Sequence, residues 1–426
     1  MRVPLKVCTH IAADRTLPEE FHALCDFGGR LAGTDSEHRA MAYVAERGSL
    51  ASGVPCTRLP VNYGGWRALK AELRLSDGTP APCHPLVRST PTPPAGLTAE
   101  VIDLGRGTPE EFEAHRTEIA GRIVLVRHEL MFAAGTIHRR RKYNMAIEAG
   151  AVGFLIASPI AGALVTGSSG RDETDAGIPA AGIAREIAAR LARTASGWAR
   201  ATLVVETEEY EAQTSTLLFD LHGATDDVVV LSAHVDGHDI NESAMDNASG
   251  VVTALTVIRA VAPHVHKWQR GVRLAFFSAE EWALTGSARY VSGLSDDERR
   301  RIALNINLDT VAGGRCLTAL TSGFAGLEPF LLETAETSGH ALRCVRPLQM
   351  NSDHANFALA GIPAFRLVAG YDEPYANVRF VLTPGDLRDK ATQAELIRAS
   401  QLTAALLTAS CNAPCTTAAQ WRKPSL

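Results

Sequence analysis

DVVVLSAHVD, residues 227–236, decides the fold. Val228, Val229, Val230 and Leu231 form a continuous apolar run rather than an alternating one, which is the pattern of a strand covered on both faces. The run ends on His234 and Asp236, polar residues that buried strands rarely carry without a partner or a use. C-terminal to it, the chain alternates. A helical SGVVTALTVIRAVA (249–262) is followed by a strand VRLAFFSAEE (272–281), a helical ALTGSARYVSGL (283–294), a strand IALNINLDTVAG (302–313) and a strand IPAFRLV (362–368). Strand–helix alternation with apolar strands predicts an α/β fold, a mostly parallel central sheet with helices on both faces.

Working toward the N-terminus, GRIVLVRHEL (121–130), the helical KYNMAIEAGAVGFLIAS (142–158) and GIPAAGIAREIAARLA (177–192) make a second, shorter alternation that closes a small α/β domain of its own. Residues 57–94 change texture to Pro-rich, turn-punctuated sequence and read as short strands and turns, whereas residues 17–53 carry helical spacing broken by Gly28-Gly29. The expected organisation is an N-terminal piece of the catalytic domain (1–60), an inserted domain (61–205) and the rest of the catalytic domain (206–426). At 426 residues with 46% hydrophobic composition, two domains are expected. The RRRK run at 139–142 reads as a solvated helix face.

A net charge of −5 offers no electrostatic case for nucleic acid or an anionic membrane. No run approaches the roughly 20 apolar residues that cross a bilayer, and the opening MRVPLKVCTH lacks the apolar stretch of about 7 to 15 residues of a secretory signal. The expected location is the cytoplasm. Eight cysteines without a C-x-x-C pair are expected as reduced thiols; Cys411 and Cys415 alone make a poor zinc site. Apolar helices on the inserted domain offer a surface for homo-oligomerisation.

In open parallel sheets, functional groups gather beyond the carboxyl ends of the strands. His234 and Asp236, Glu280 and Glu281, and Asp309 each follow a strand, and Asp246 lies in the loop before a helix. One histidine with carboxylates leaves a divalent ion enough positive charge to acidify water, so His234, Asp246 and Asp309 are the expected ligands. Asp236, two residues on from His234, falls on the same side of the strand and can orient the imidazole. Of the two adjacent glutamates, only one can face the ion in the same way; the other is free to move protons between water and the departing nitrogen.

AHVDG, AMDNASG, FFSAEEWALTGS, LNINLD and NSDHANFALAGIPA together resemble, in order and spacing, the motifs of the co-catalytic zinc aminopeptidase family that includes glutamate carboxypeptidase, over residues 214–405. The inserted block resembles the protease-associated domain. The resemblance implies two metals bridged by Asp246, with His234 and Asp309 on one and Glu281 on the other, Glu280 as general base, and Asp353 and His354 nearby without ligating. It also implies a further histidine before a Thr-x-x-Asp stretch, where RFVLTPGD puts Leu382, preceded by Val381. Without that imidazole the second site is expected to be impaired. The expectation is one ion per chain, manganese or zinc, with His354 as a substitute ligand should a second bind.

A single ion weakens the case for an aminopeptidase and favours C–N hydrolysis in a small molecule. The overall texture also resembles an offshoot of this family, 5-nitroanthranilate aminohydrolase, so an aromatic amine that releases ammonia is the expected substrate, ahead of a di-zinc aminopeptidase or dipeptidase and of a non-catalytic binding protein. A substrate carboxylate would need an arginine; Arg289, Arg366 and Arg379 flank the site strands, and His138 and Arg140 could reach over from the insert.

Overall fold

Val228–His234 lies at the middle of the sheet in the computed structural model, which describes residues 5–171, 175–192 and 198–422. It pairs in parallel with Gly271–Phe277 and with Ile302–Leu308, and Ala364–Ala369 extends the parallel run. Antiparallel neighbours flank these four: Leu317–Leu320 on one side and Ala199–Leu221 on the other. Side chains divide by the two-residue alternation of a strand. Val229, Leu231 and Ala233, with Val272, Leu274 and Phe276, enter the large core under helices Ser249–Val265 and Gln393–Asn412. Val230, Ala275 and Phe277 pack on the opposite face with Tyr290 and Phe357. His234, at the end of the strand, belongs to the register of Val230 and Ser232.

The stretch Ala244–Val265 is long and apolar enough to cross a membrane by composition, which the expectation above missed. It is 78% buried against the sheet and its neighbouring helices, the place of a core helix.

The insert hangs on a ribbon. Thr57–Leu75 runs antiparallel to Ala199–Leu221, from Thr57 opposite Leu218 to Leu75 opposite Ala201. The short strands expected over 57–94 are therefore one 19-residue strand at their start, and the ribbon passes without interruption through 60 and 205. Gly64 and Gly65 do not end it, because a continuous partner offsets the roughly 1 kcal/mol that a glycine costs inside a strand. Past the ribbon the sheet continues through Leu97–Asp103, Ile123–Arg127, Gly153–Ala157 and Ala180–Ile183, so both domains share one sheet, fourteen-stranded among the described residues.

The N-terminal helices are tied to the sheet end by Arg30. Fully buried, it donates to the carbonyl oxygens of Val235 (2.8 Å), Leu24 (3.0 Å), Gly28 (3.3 Å), Glu242 (2.8 Å) and Ser243 (2.8 Å). Beside it Gly29 is required: a Cβ there would stand 2.1 Å from the His238 carbonyl oxygen. Replacing Arg30 with methionine leaves several carbonyls without a donor, each costing about 1–3 kcal/mol when buried, so Arg30→Met is expected to lose about 3 kcal/mol or more. A denaturant midpoint within error of the wild type would contradict this account of the loop that follows His234.

Candidate metal centre

Two strand-end residues and one from the loop before a helix converge. His234 Nε2 lies 3.1 Å from Asp246 Oδ1 and 3.8 Å from Asp309 Oδ2, and one ligand atom from each of the three falls within 4.8 Å of the others. Ligand atoms about 2.0–2.1 Å from an ion in a tetrahedron stand roughly 3.3 Å apart, so these spacings fit a divalent cation. Two observations independent of spacing agree. His234 Nε2 and Asp246 Oδ1 are buried without a hydrogen-bond partner. Burial opposes a proton on His234, yet the carboxylates of Glu280, Asp236, Asp246 and Asp309 lift its pKa well above the usual imidazole value. The surroundings call for positive charge at that point.

Each ligand is fixed by groups distant in sequence. Asp246 sits in a non-helical turn whose amides are held by Asp386: Oδ1 accepts from Met245 N (2.7 Å) and Oδ2 from Asp246 N (3.2 Å). Asn247 ties that turn to the next strand end, donating to the Leu308 carbonyl and accepting from Gly250 N and Thr310 N. Burial would raise the Asp309 pKa, but the Arg366 guanidinium 2.9 Å away and His234 hold it below the usual carboxylate range. Asp386 itself is pushed up to about 8 by burial.

Asp236 holds more than the imidazole. Its carboxylate accepts from the amides of Glu280 (3.2 Å) and Glu281 (3.1 Å), while His234 Nδ1 faces its carbonyl oxygen at 3.1 Å and stands 3.6 Å from the carboxylate. The same acidic group thereby aims the glutamate pair. Burial raises the pKa of both glutamates, with further repulsion from Glu281, Asp353 and Asp309 at Glu280 and from Asp246 at Glu281. Both line the cavity that Asp246 and Asp309 face. Asp353 and His354 are fully buried behind the centre; burial lifts Asp353 to about 7 and lowers His354 to about 3. His354 is not in the converging group.

The arginines distribute differently from expectation. Arg366 lines the cavity, but its guanidinium is engaged by Asp309, the Asn351 carbonyl (2.8 Å) and the ring of Phe132, so it serves the ligand rather than waiting for a substrate. Arg289 is exposed on its helix and lines no part of this cavity, and Arg379 donates to the Tyr375 carbonyl over the Phe380 ring. Conversely, only Arg141 of the 139–142 run is exposed. Lys142 is fully buried on the Arg127 carbonyl and Glu129, and Arg139 is buried on the Ser168 carbonyl. Arg139 and Arg140 both line the metal cavity with His138.

His238 was missed altogether, although HVDGHD places it two residues past Asp236. It is buried, with Nε2 2.7 Å from Glu281 Oε2. Leu382 lines the cavity where the family's last imidazole is expected and offers no donor atom.

Comparison with known proteins bears on the fold and on the family that the chain resembles. Residues 216–407 match peptidase family M28, and residues 84–191 match the PA domain. The "Probable lipoprotein aminopeptidase LpqL" of Mycobacterium tuberculosis is 28% identical over 317 residues, 69% of this chain, and the chain spans 60% of that relative's length. Among solved structures, a peptidase M28 precursor from Shewanella amazonensis superposes with a TM-score of 0.78 at 21% identity, covering 96% of this chain and 95% of its own. BSAP, a zinc aminopeptidase from Bacillus subtilis, gives 0.71 at 23% identity, with 95% of each chain covered. At these identities the structures speak to the fold.

Proposed function

Since residues 216–407 match peptidase family M28 and residues 84–191 match the PA domain, we propose that the chain is a metal-dependent, aminopeptidase-type hydrolase cleaving the C–N bond of a small peptide or aminoacyl amide. The observation that carries this reading is the meeting of His234, Asp246 and Asp309 beside Glu280 in one cavity. A divalent ion held by the three would supply Lewis acidity toward water and the scissile carbonyl. Glu280, buried and held at its amide by Asp236, takes the proton from the attacking water and hands it to the departing nitrogen. The zinc aminopeptidase BSAP supports zinc as the ion. One ion per chain is the occupancy proposed, because Leu382 cannot ligate and, among the described residues, only His234, Asp246 and Asp309 converge as a group of three.

The aromatic amine expected from the sequence becomes the second reading. Leu382 favours it, since an aminopeptidase meets the substrate's amino group near a second ion, but the relatives favour peptide chemistry. Purified protein loaded in turn with zinc and manganese is assayed against leucine p-nitroanilide, dipeptides and aminobenzoates, and its metal content is counted. Hydrolysis of the anilide or dipeptides with one ion per chain is the expected outcome. Turnover confined to aminobenzoates would replace the leading reading by the second, and two tightly held ions would end the single-ion proposal.

A further inference from the structure

The loop that carries the glutamate pair is held from outside the catalytic domain. We propose that Trp282 is a positioning residue: through it the ribbon of the insert sets Glu280 against the metal cavity, so the insert takes part in proton transfer without supplying a reacting group. This deepens the hydrolase reading and rests on the role that reading gives Glu280.

That loop does not take its shape from local preference. Between the strand Gly271–Phe277 and the helix Thr285–Ser292, Ala279, Ala283 and Leu284 all lie in the left-handed region, at φ 57°, 63° and 67°. Residues with a Cβ hold that region only where their surroundings over-determine it. The loop also closes tightly on itself, Thr285 N donating to the Ala279 carbonyl at 3.0 Å, and a Cβ on Gly286 would stand 2.1 Å from the Ser278 carbonyl oxygen. Three groups from distant parts of the chain supply the constraint. Fully buried Glu37 accepts from Ser278 Oγ at 2.7 Å and from Thr214 Oγ1 at 2.6 Å, which fixes the loop at its root. Asp236 takes the amides of Glu280 and Glu281. The third tie is made by Trp282.

Trp282 is buried but does not line the metal cavity, whereas Glu280 and Glu281 do. Its Nε1 donates to the Gly64 carbonyl at 3.0 Å, and its ring meets that of Tyr63 edge-on at 5.6 Å. Both partners belong to the ribbon. These contacts lie in a small apolar core separate from the large one, and its members come from four segments: Leu31 from the N-terminal piece, Tyr63 and Trp66 from the ribbon, Val87 from the insert, and Ala279 and Trp282 from the glutamate loop. Trp66 carries the linkage outward, its Nε1 donating to the Ser89 carbonyl at 2.9 Å. A buried tryptophan needs a partner for its N–H, and this one finds it across the domain border, one residue from Glu281 and two from Glu280. With that tie released, Asp236 still draws the two amides, but the peptide planes beside them are free to turn and the Glu280 carboxylate turns with them. A proton carrier works only within a narrow range of distance and angle.

Amide hydrogen exchange and kinetics on the zinc-loaded full chain test the proposal together. Trp282→Phe keeps an aromatic ring and removes the donor; Tyr63→Leu acts from the ribbon and leaves the loop's own sequence intact. Each is expected to speed exchange of the Glu280 and Glu281 amides by about 3- to 10-fold, the scale of one hydrogen bond or one aromatic pair, while the amides of Gly271–Phe277 exchange as in wild type. On leucine p-nitroanilide kcat should fall by a similar factor at unchanged KM, and neither substitution should lower kcat further once Glu280 is replaced by Gln, since the group being positioned is then gone. A tryptophan that only filled space would loosen the strand along with the loop, and its loss would multiply with that of Glu280→Gln. Either of those results, or exchange at Glu280 and Glu281 equal to wild type in both variants, would overturn the assignment. A wild type that leaves the anilide and every other amide intact would sink the hydrolase reading instead, and exchange of the two amides would still decide whether Trp282 holds them.

Discussion

Glu280→Gln is expected to keep fold and metal while losing about 10³-fold in kcat, within the about 10² to 10⁴ that a positioned proton carrier contributes. The substitution is isosteric, so the amide contact to Asp236 at 3.2 Å and the packing of a residue 6% exposed are preserved. Only the capacity to accept a proton is removed. Glu280 sits among Glu281, Asp353 and Asp309, whose repulsion adds to burial in holding its pKa above the usual carboxylate value. A carboxylate whose pKa is raised in this way accepts a proton more readily, as a carrier that takes one from water requires. The measurement pairs kcat and KM with metal content: loss confined to kcat at unchanged stoichiometry marks proton transfer. A variant within threefold of wild type would remove Glu280 from the chemistry. Glu281→Gln separates the neighbouring role, since Glu281 contacts His238 and would act through the shape of the site rather than by carrying the proton.

How much of this centre could be read in the sequence follows from the range of each interaction. The strand ends were legible because burial on both faces writes itself into consecutive apolar residues, and a histidine or aspartate that interrupts them stands out; hence His234 and Asp309. Asp236 was read as part of the strand, which ends two residues earlier at His234, and its carboxylate holds two amides 44 and 45 residues away, a contact that local spacing does not encode. Arg366 was visible beside the site, yet its engagement depends on Asp309, 57 residues earlier. The misreading of 139–142 has the same origin. A charge run announces solvent only if nothing is supplied to it, and here the Ser168 and Arg127 carbonyls and Glu129 are brought in by the fold of the insert. The ribbon was underestimated because Gly and Pro mark turns locally, whereas an 18-residue register with Ala199–Leu221 is set by its partner strand. His238 alone was readable and passed over.

Asp246→Asn is expected to abolish stoichiometric metal binding. Outer partners of metal ligands are already worth about 10- to 100-fold in affinity, so removing the charge of a ligand should exceed about 100-fold. The amide keeps the volume of the side chain, and the backbone contacts of the turn to Asp386 and through Asn247 to Leu308 do not involve the Asp246 side chain, so the turn is retained. Stability with and without zinc makes the prediction sharp. Without an ion, Asp246 repels the buried Glu281 but attracts the imidazole of His234 3.1 Å away, two opposing effects, so the reading is taken from the gain on adding zinc. Adding zinc at 1,000 times its dissociation constant stabilises a protein that binds it only when folded by about 4 kcal/mol, and that gain should vanish in the variant. Asp386→Asn supplies the graded case: with the Met245 and Asp246 amides less firmly held, affinity should drop by about 10- to 100-fold while binding survives. If Asp246→Asn kept the full zinc-induced shift, the ion would be bound elsewhere, and the convergence of His234, Asp246 and Asp309 would lose its meaning as a metal centre.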